Sequence, residues 1–293
     1  MLIDGDASRS VLALVLVGRP IKQYPLLAGT KEGEAIVYST DCRKRIMRAP
    51  LALALVLAAL MASPPARSVE PPSTVHARNG VDDLVTALEK QPRSIRIAND
   101  LRRYCRSAGV IDTCIEVLDK LVRDYPDAKE LRYNAALAYV DKLPGLSIYR
   151  QGWLSTRSME HVTPLIDADS GDWLAYYIRG MNHLYWPRWF RHTDRAIQDL
   201  EHCVRISSHL PLEQARPFHV LAYLALGDGF AKAGRIEEAK KIWREGLSVY
   251  PSGRLRERLV LPVSDLPAYI DVQRDLDKPI ETDLVFLWEK TGL

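Results

Sequence analysis

The chain has 293 residues, of which 47% are hydrophobic and 26% charged, a balance that speaks against disorder and leaves room for one sizeable core. The formal charge of +3 resides in the first 68 residues, since the remainder holds 31 basic and 32 acidic residues. A near-neutral body has no general attraction for phosphate backbones, which argues against nucleic acid as a partner.

Residues 1–46 show no clear periodicity beyond one apolar burst at Val11 to Val17, and they precede Met47, which could itself begin translation. They are read as an over-extended or disordered start; a cytoplasmic extension ahead of an uncleaved anchor is the other reading. From Ala49 to Ala62 an uncharged apolar run follows Arg43, Lys44, Arg45 and Arg48. A basic flank, a short apolar stretch and then small residues at Ala62, Ser63, Ala66 and Ser68 make residues 47–68 a secretory signal peptide. The run is well short of the roughly 20 residues that span a bilayer, so no stable membrane span is expected after cleavage. Cleavage fits best before Val69, which places the mature protein in the periplasm or outside the cell.

Residues 69–79 contain Pro71 and Pro72 and no apolar period, and read as a linker. From about Gly80 apolar residues recur at helical spacing almost to the C-terminus, and no segment alternates with the period of a strand. The domain is therefore expected to be all-α. Near its end, Tyr223, Leu226, Gly227 and Phe230 are followed by Ala239, Trp243 and Pro251. The small residues let two antiparallel helices approach, the large ones fill the space around them, Ala233-Gly234-Arg235 makes the turn, and Pro251 stops the second helix.

This spacing resembles the tetratricopeptide (TPR) repeat, a helix-turn-helix unit of 34 residues. Ala98, Leu101, Cys105, Cys114, Leu118 and Pro126 repeat it, with Arg102 where a small residue is usual, and Pro92 to Pro126 spans one full period. Two middle units are enlarged. One carries about 10 extra residues around Leu143-Pro144-Gly145, the other about 4 around Trp186-Pro187-Arg188-Trp189, and about 9 more surround Leu210-Pro211-Leu212 before the last repeat. The resemblance implies a solenoid over residues 80–254 with an orphan helix from Asp82 to Gln91, and a cap over residues 255–293 that covers the final helix.

The chemistry-bearing patterns are sparse. Gly227-Asp228-Gly229 lacks the third glycine of a dinucleotide loop, no histidine pair has metal-ligand spacing, and no nucleophile elbow occurs. No catalytic residue, cofactor or metal is therefore assigned, and His183 is expected to be packed in the core. Cys105 and Cys114 face each other across one repeat and are placed for a disulfide or for simple burial; Cys203 is expected to be buried.

The groove lined by first helices should present Arg96, Asn99 and Arg103, then Tyr133 and Leu137, then Tyr177 and Met181, then Leu224 and Asp228. A basic end joined to an aromatic middle suits an extended or helical peptide with an acidic flank. The Lys and Asn arrangement of chaperone-binding TPR proteins is missing. In the second enlarged unit, Pro187 should end a helix near Trp186, turning Trp186 and Phe190 inward and leaving Arg188, Trp189 and Arg191 as a rim for contact. The reading is a non-enzymatic adaptor that binds another exported protein or peptide, in assembly or maturation of a complex. The alternative is a small-molecule or lipid carrier with an aromatic pocket in the middle units.

Overall fold

The computed structural model describes residues 74–276, 278 and 280–289. The start at 1–46, the signal peptide at 47–68, the first residues of the linker and the last four residues of the cap lie outside the described residues. Eleven α-helices and four short 3-10 turns fill the described residues, with no strand among them.

Helix α1, Thr74–Lys90, begins six residues before the expected domain start, so the end of the linker is helical. After Pro72 no proline interrupts the chain until Pro92, which removes the barrier to helix that the linker reading assumed. Four helix pairs follow: α2 (Ile95–Ser107) with α3 (Ile111–Asp124), α4 (Lys129–Asp141) with α5 (Ile148–Ala168), α6 (Trp173–Tyr185) with α7 (Thr193–His209), and α8 (Val220–Lys232) with α9 (Ile236–Val249). Each pair packs face to face, and the first helices α2, α4, α6 and α8 also adjoin one another in series. This is the TPR arrangement, an all-α solenoid with first helices on its inner side.

The first and last pairs turn by the same device. Gly109 and Gly234 adopt φ of 71° and 81°, which only glycine takes at little cost. The reversed backbone lets the Val110 amide donate to Cys105 O at 2.9 Å and the Arg235 amide to Phe230 O at 2.8 Å, satisfying carbonyls the helix end leaves open. Close approach is set by glycine as well. A Cβ on Gly227 would come within 2.6 Å of Trp243 Cε2, and one on Gly180 within 2.9 Å of Leu200 Cγ.

The extra residues mostly extend the pairs. After the first expected insertion α5 runs to 21 residues, at the second lies the turn Arg188–Phe190, and at the third lie two 3-10 turns, Leu212–Gln214 and Pro217–His219. Helices α10 (Gly253–Val260) and α11 (Leu266–Gln273) close the last pair. Leu255, Leu266 and Ile270 are fully buried against its core, as a terminal unit requires. The cap does only half its expected work there: from Arg274 the chain leaves the last pair and runs back to α2.

Candidate peptide groove and its occupant

Six of the nine groove residues named from the sequence, Arg96, Asn99, Arg103, Leu137, Tyr177 and Met181, meet one segment of the chain itself, residues 281–288. At the α2 end, Asn99 is fully buried. Its amide nitrogen donates to Asp283 Oδ1 at 2.9 Å, and its oxygen accepts the Leu284 backbone amide at 3.0 Å. Arg103 Nε stands 3.0 Å from Asp283 Oδ2, and the Arg96 guanidinium lies 5.4 Å from the Trp288 ring centre. The basic end therefore meets an acidic extended segment, supplied in cis.

Arg102, the residue that departs from the repeat pattern, anchors this segment. Its side chain is fully buried. Nη1 donates to Thr282 Oγ1 and to Asp141 Oδ2, both at 2.7 Å; Nη2 donates to Asn99 Oδ1 at 2.8 Å and to Thr282 O at 2.5 Å, and Nε to Asn134 Oδ1 at 3.3 Å. Arg106 adds a bond to Thr282 Oγ1 at 2.9 Å, and the Thr282 hydroxyl donates to Asp141. A buried guanidinium is tolerable only with its donors paired, and the tail supplies two of the acceptors. In the sequence Arg102 stands out only as a departure from the usual small residue; the missed signal is a cation at a position that must be buried.

In the middle of the groove, Leu137, Tyr177 and Met181 face Leu284 and Phe286 across an apolar cavity of about 40 Å³. The Tyr177 and Phe286 rings meet edge to face at 6.4 Å. That space is far below the roughly 300 Å³ and more of small-molecule sites. Burial pushes the Tyr177 hydroxyl well above its ordinary pKa.

Three expected groove positions do other work. Tyr133 is buried, with its hydroxyl donated to Asp172; Asp172 also caps α6 by accepting the Ala175 amide at 3.0 Å. Leu224 is buried, at the edge of a second cavity of about 180 Å³ beside the tail. Asp228 is fully buried and paired with two arginines: Arg258 Nε and Nη2 at 2.6 and 3.0 Å, Arg274 Nε and Nη2 at 2.9 and 2.5 Å. Burial alone would raise the Asp228 carboxyl; the charges of Arg274 and then Arg258 outweigh it and hold the pKa below its ordinary value. The carboxylate ties α10 and the end of α11 to α8, at the point where the tail departs.

In the second insertion α6 ends at Tyr185, and Trp186 turns inward, stacked on His192 at 4.2 Å with its Nε1 donating to Ser155 Oγ at 2.8 Å. Trp189 is 71% exposed. Phe190, expected inside, sits at the rim, edge-on to Trp186 at 4.8 Å and stacked on Trp189 at 4.1 Å, and Arg191 after it takes a left-handed conformation at φ 59°. Arg188 pairs with Asp271 of α11 at 3.1 Å, and Arg191 is exposed.

His183 is buried with its Nδ1 2.9 Å from His192 Nδ1. Burial, then the neighbouring His192, push its pKa down to about 3. Cys105, Cys114 and Cys203 are free and buried. A hydrogen bond from Cys114 lowers the Cys105 thiol, while the same bond and burial push the Cys114 thiol far up. Among the described residues no group of three His, Cys, Asp or Glu side chains could hold a metal, and no helix is long and apolar enough to cross a membrane.

No family model and no curated protein matches the chain. Among solved structures it is similar to MamA, at 18% identity over 61% of this chain and 92% of that one with a TM-score of 0.41. It is also similar to TTC0263, a thermophilic TPR protein of Thermus thermophilus, at 17% identity over 72% and 95% of the two chains with a TM-score of 0.46.

Proposed function

We propose that the chain is a non-enzymatic adaptor that acts after export, holding an extended segment of another exported protein along its inner face during assembly or maturation of a complex. The observation that carries this reading is that the inner face holds a polypeptide by its backbone: Asn99 accepts the Leu284 amide and Arg102 donates to the Thr282 carbonyl. Contacts to backbone groups give affinity for extended chain, while Tyr177, Met181 and Leu137 supply pockets for side chains. Export rests on the basic flank and short apolar run before Ala62. It would carry Cys105 and Cys114 into an oxidising compartment, where the adjoining thiols are placed to bridge.

Capture from periplasmic extract tests the reading when the mature chain is compared with its Asn99→Ala and Tyr177→Ala variants. Exported proteins retained by the first and lost by both variants are expected. Equal retention by all three would place the contact elsewhere and contradict a groove function.

A further inference from the structure

We infer that residues 281–288 are an internal occupant of the groove that exchanges with a segment of the same chemistry on a partner protein: a hydroxyl residue, an acid, an aliphatic residue and, two positions on, an aromatic, as in Thr282-Asp283-Leu284-Val285-Phe286. The inference rests on the groove being a peptide site, and it adds what the site selects and what holds it closed.

Each element of the pattern has its own receptor. Arg102 and Arg106 take the hydroxyl, at 2.7 and 2.9 Å. Asn99 and Arg103 take the acid, at 2.9 and 3.0 Å, and Leu284, 2% exposed, and Phe286 enter the apolar middle. Because Arg102 is fully buried, an empty site would strand two of its donor bonds, so the groove favours being filled and rejects segments that lack the hydroxyl.

The occupant is nonetheless built to leave. Between Arg274 and Leu284 the described residues form no helix, and one 3-10 turn, Val285–Leu287, follows. A few side-chain anchors hold it, in place of a packed helix face. The cavities of about 40 and 180 Å³ beside it mark incomplete filling, which forfeits contacts that a better-fitting segment regains. The Arg103–Asp283 pair is open to solvent, with the two side chains 50% and 26% exposed, so release can begin there. Asp228 with Arg258 and Arg274 fastens the cap before the tail departs, so release leaves α10 and α11 in place.

The test uses the full chain and a labelled peptide of residues 278–289 as probe, read by fluorescence anisotropy. Asp283→Lys and, separately, Leu284→Asp in the chain loosen the tail without touching the groove. The peptide is expected to bind either variant at least about tenfold more tightly than the wild-type chain, because a site that is seldom open has its Kd divided by the open fraction and so raised. Adding Arg103→Glu to the Leu284→Asp chain, whose own tail keeps Asp283, should abolish binding, and a peptide carrying Asp283→Lys should restore it. Equal binding to wild type and variants would show a peptide groove without an internal gate, overturning this inference alone. Binding to none, with both variants folded by circular dichroism, would overturn the groove reading too. Failure of both variants to fold would make the tail an integral cap, and a concentration-dependent dimer that excludes the peptide would make the occupant a second copy; either result overturns exchange with a partner.

Discussion

Replacing Gly227 by alanine tests the helix approach on which the last repeat depends. A Cβ there would sit 2.6 Å from Trp243 Cε2, and Trp243 is fully buried, with its Nε1 donating to Leu224 O at 3.3 Å. The ring cannot swing into solvent, so either the helices separate or the indole rotates off its carbonyl. Overpacking costs about 1–3 kcal/mol, and a lost buried hydrogen bond adds about 1. Removing a glycine from a helix interior returns about 1 kcal/mol. The net expectation is a loss of about 2 kcal/mol, or a fall in Tm of about 4–8 °C for a domain this size. Gly253→Ala is the control, since nothing lies within 4 Å of its added Cβ. Thermal and urea melts of both variants decide the matter: a Gly227→Ala chain as stable as the wild type would refute the assignment of Gly227 and Trp243 as the contact that spaces α8 and α9.

Asp228→Asn should cost about 3–5 kcal/mol, because it strands Arg258 and Arg274 as buried cations with no counterion; a urea midpoint within error of the wild type would contradict the pairing. Stability should fall as pH drops below about 6.5, the unfolded histidine value. His183 and His219 are held down to about 3 and about 4, by burial first and by His192 and Arg216 respectively. The unfolded chain thus takes up these protons in a window where the folded chain does not. The contribution of each is complete above the unfolded value and declines by about 1.4 kcal/mol per pH unit below it. Urea midpoints at pH 7.5, 6 and 5 measure the slope, and a flat profile would show that the two imidazoles are not buried neutral. Trp186→Ala should lower stability by about 3 kcal/mol, as loss of a buried ring does, whereas Trp189→Ala should stay within about 0.5 kcal/mol. Equal melts for the two would undo their inward and outward assignment. For export, intact mass of the cell-derived protein should correspond to a chain starting near Val69, and retention of Leu51 to Leu60 would rule cleavage out.

Much of the fold was legible because it depends on periodic, local features. Gly234 marks the turn of the last repeat, Ala98 and Gly227 stand at small-residue positions of close approach, and the apolar period marks the rest. That Asn99, Arg103, Tyr177 and Met181 would share a face was legible for the same reason, since first-helix residues at fixed spacing do so. What fills the groove was not legible, because the contacts of Thr282 and Asp283 with α2 span some 180 residues of sequence and obey no period. Asp228 was misread on the same account: its partners Arg258 and Arg274 come from the cap, which spacing within the repeat does not reveal. Tyr133 illustrates a smaller limit, as helical spacing gives the face of a side chain but not that its hydroxyl will seek the cap of a neighbouring helix.

The central claim is that the inner face formed by α2, α4 and α6 is the surface that holds polypeptide. Amide hydrogen exchange measured on the chain with loosened tail, Asp283→Lys, before and after adding the peptide of residues 278–289, tests it most directly. The account predicts new protection confined to α2, α4 and α6, strongest around Asn99 and Tyr177; protection appearing on α3, α5 and α7 with those inner helices unchanged would contradict it.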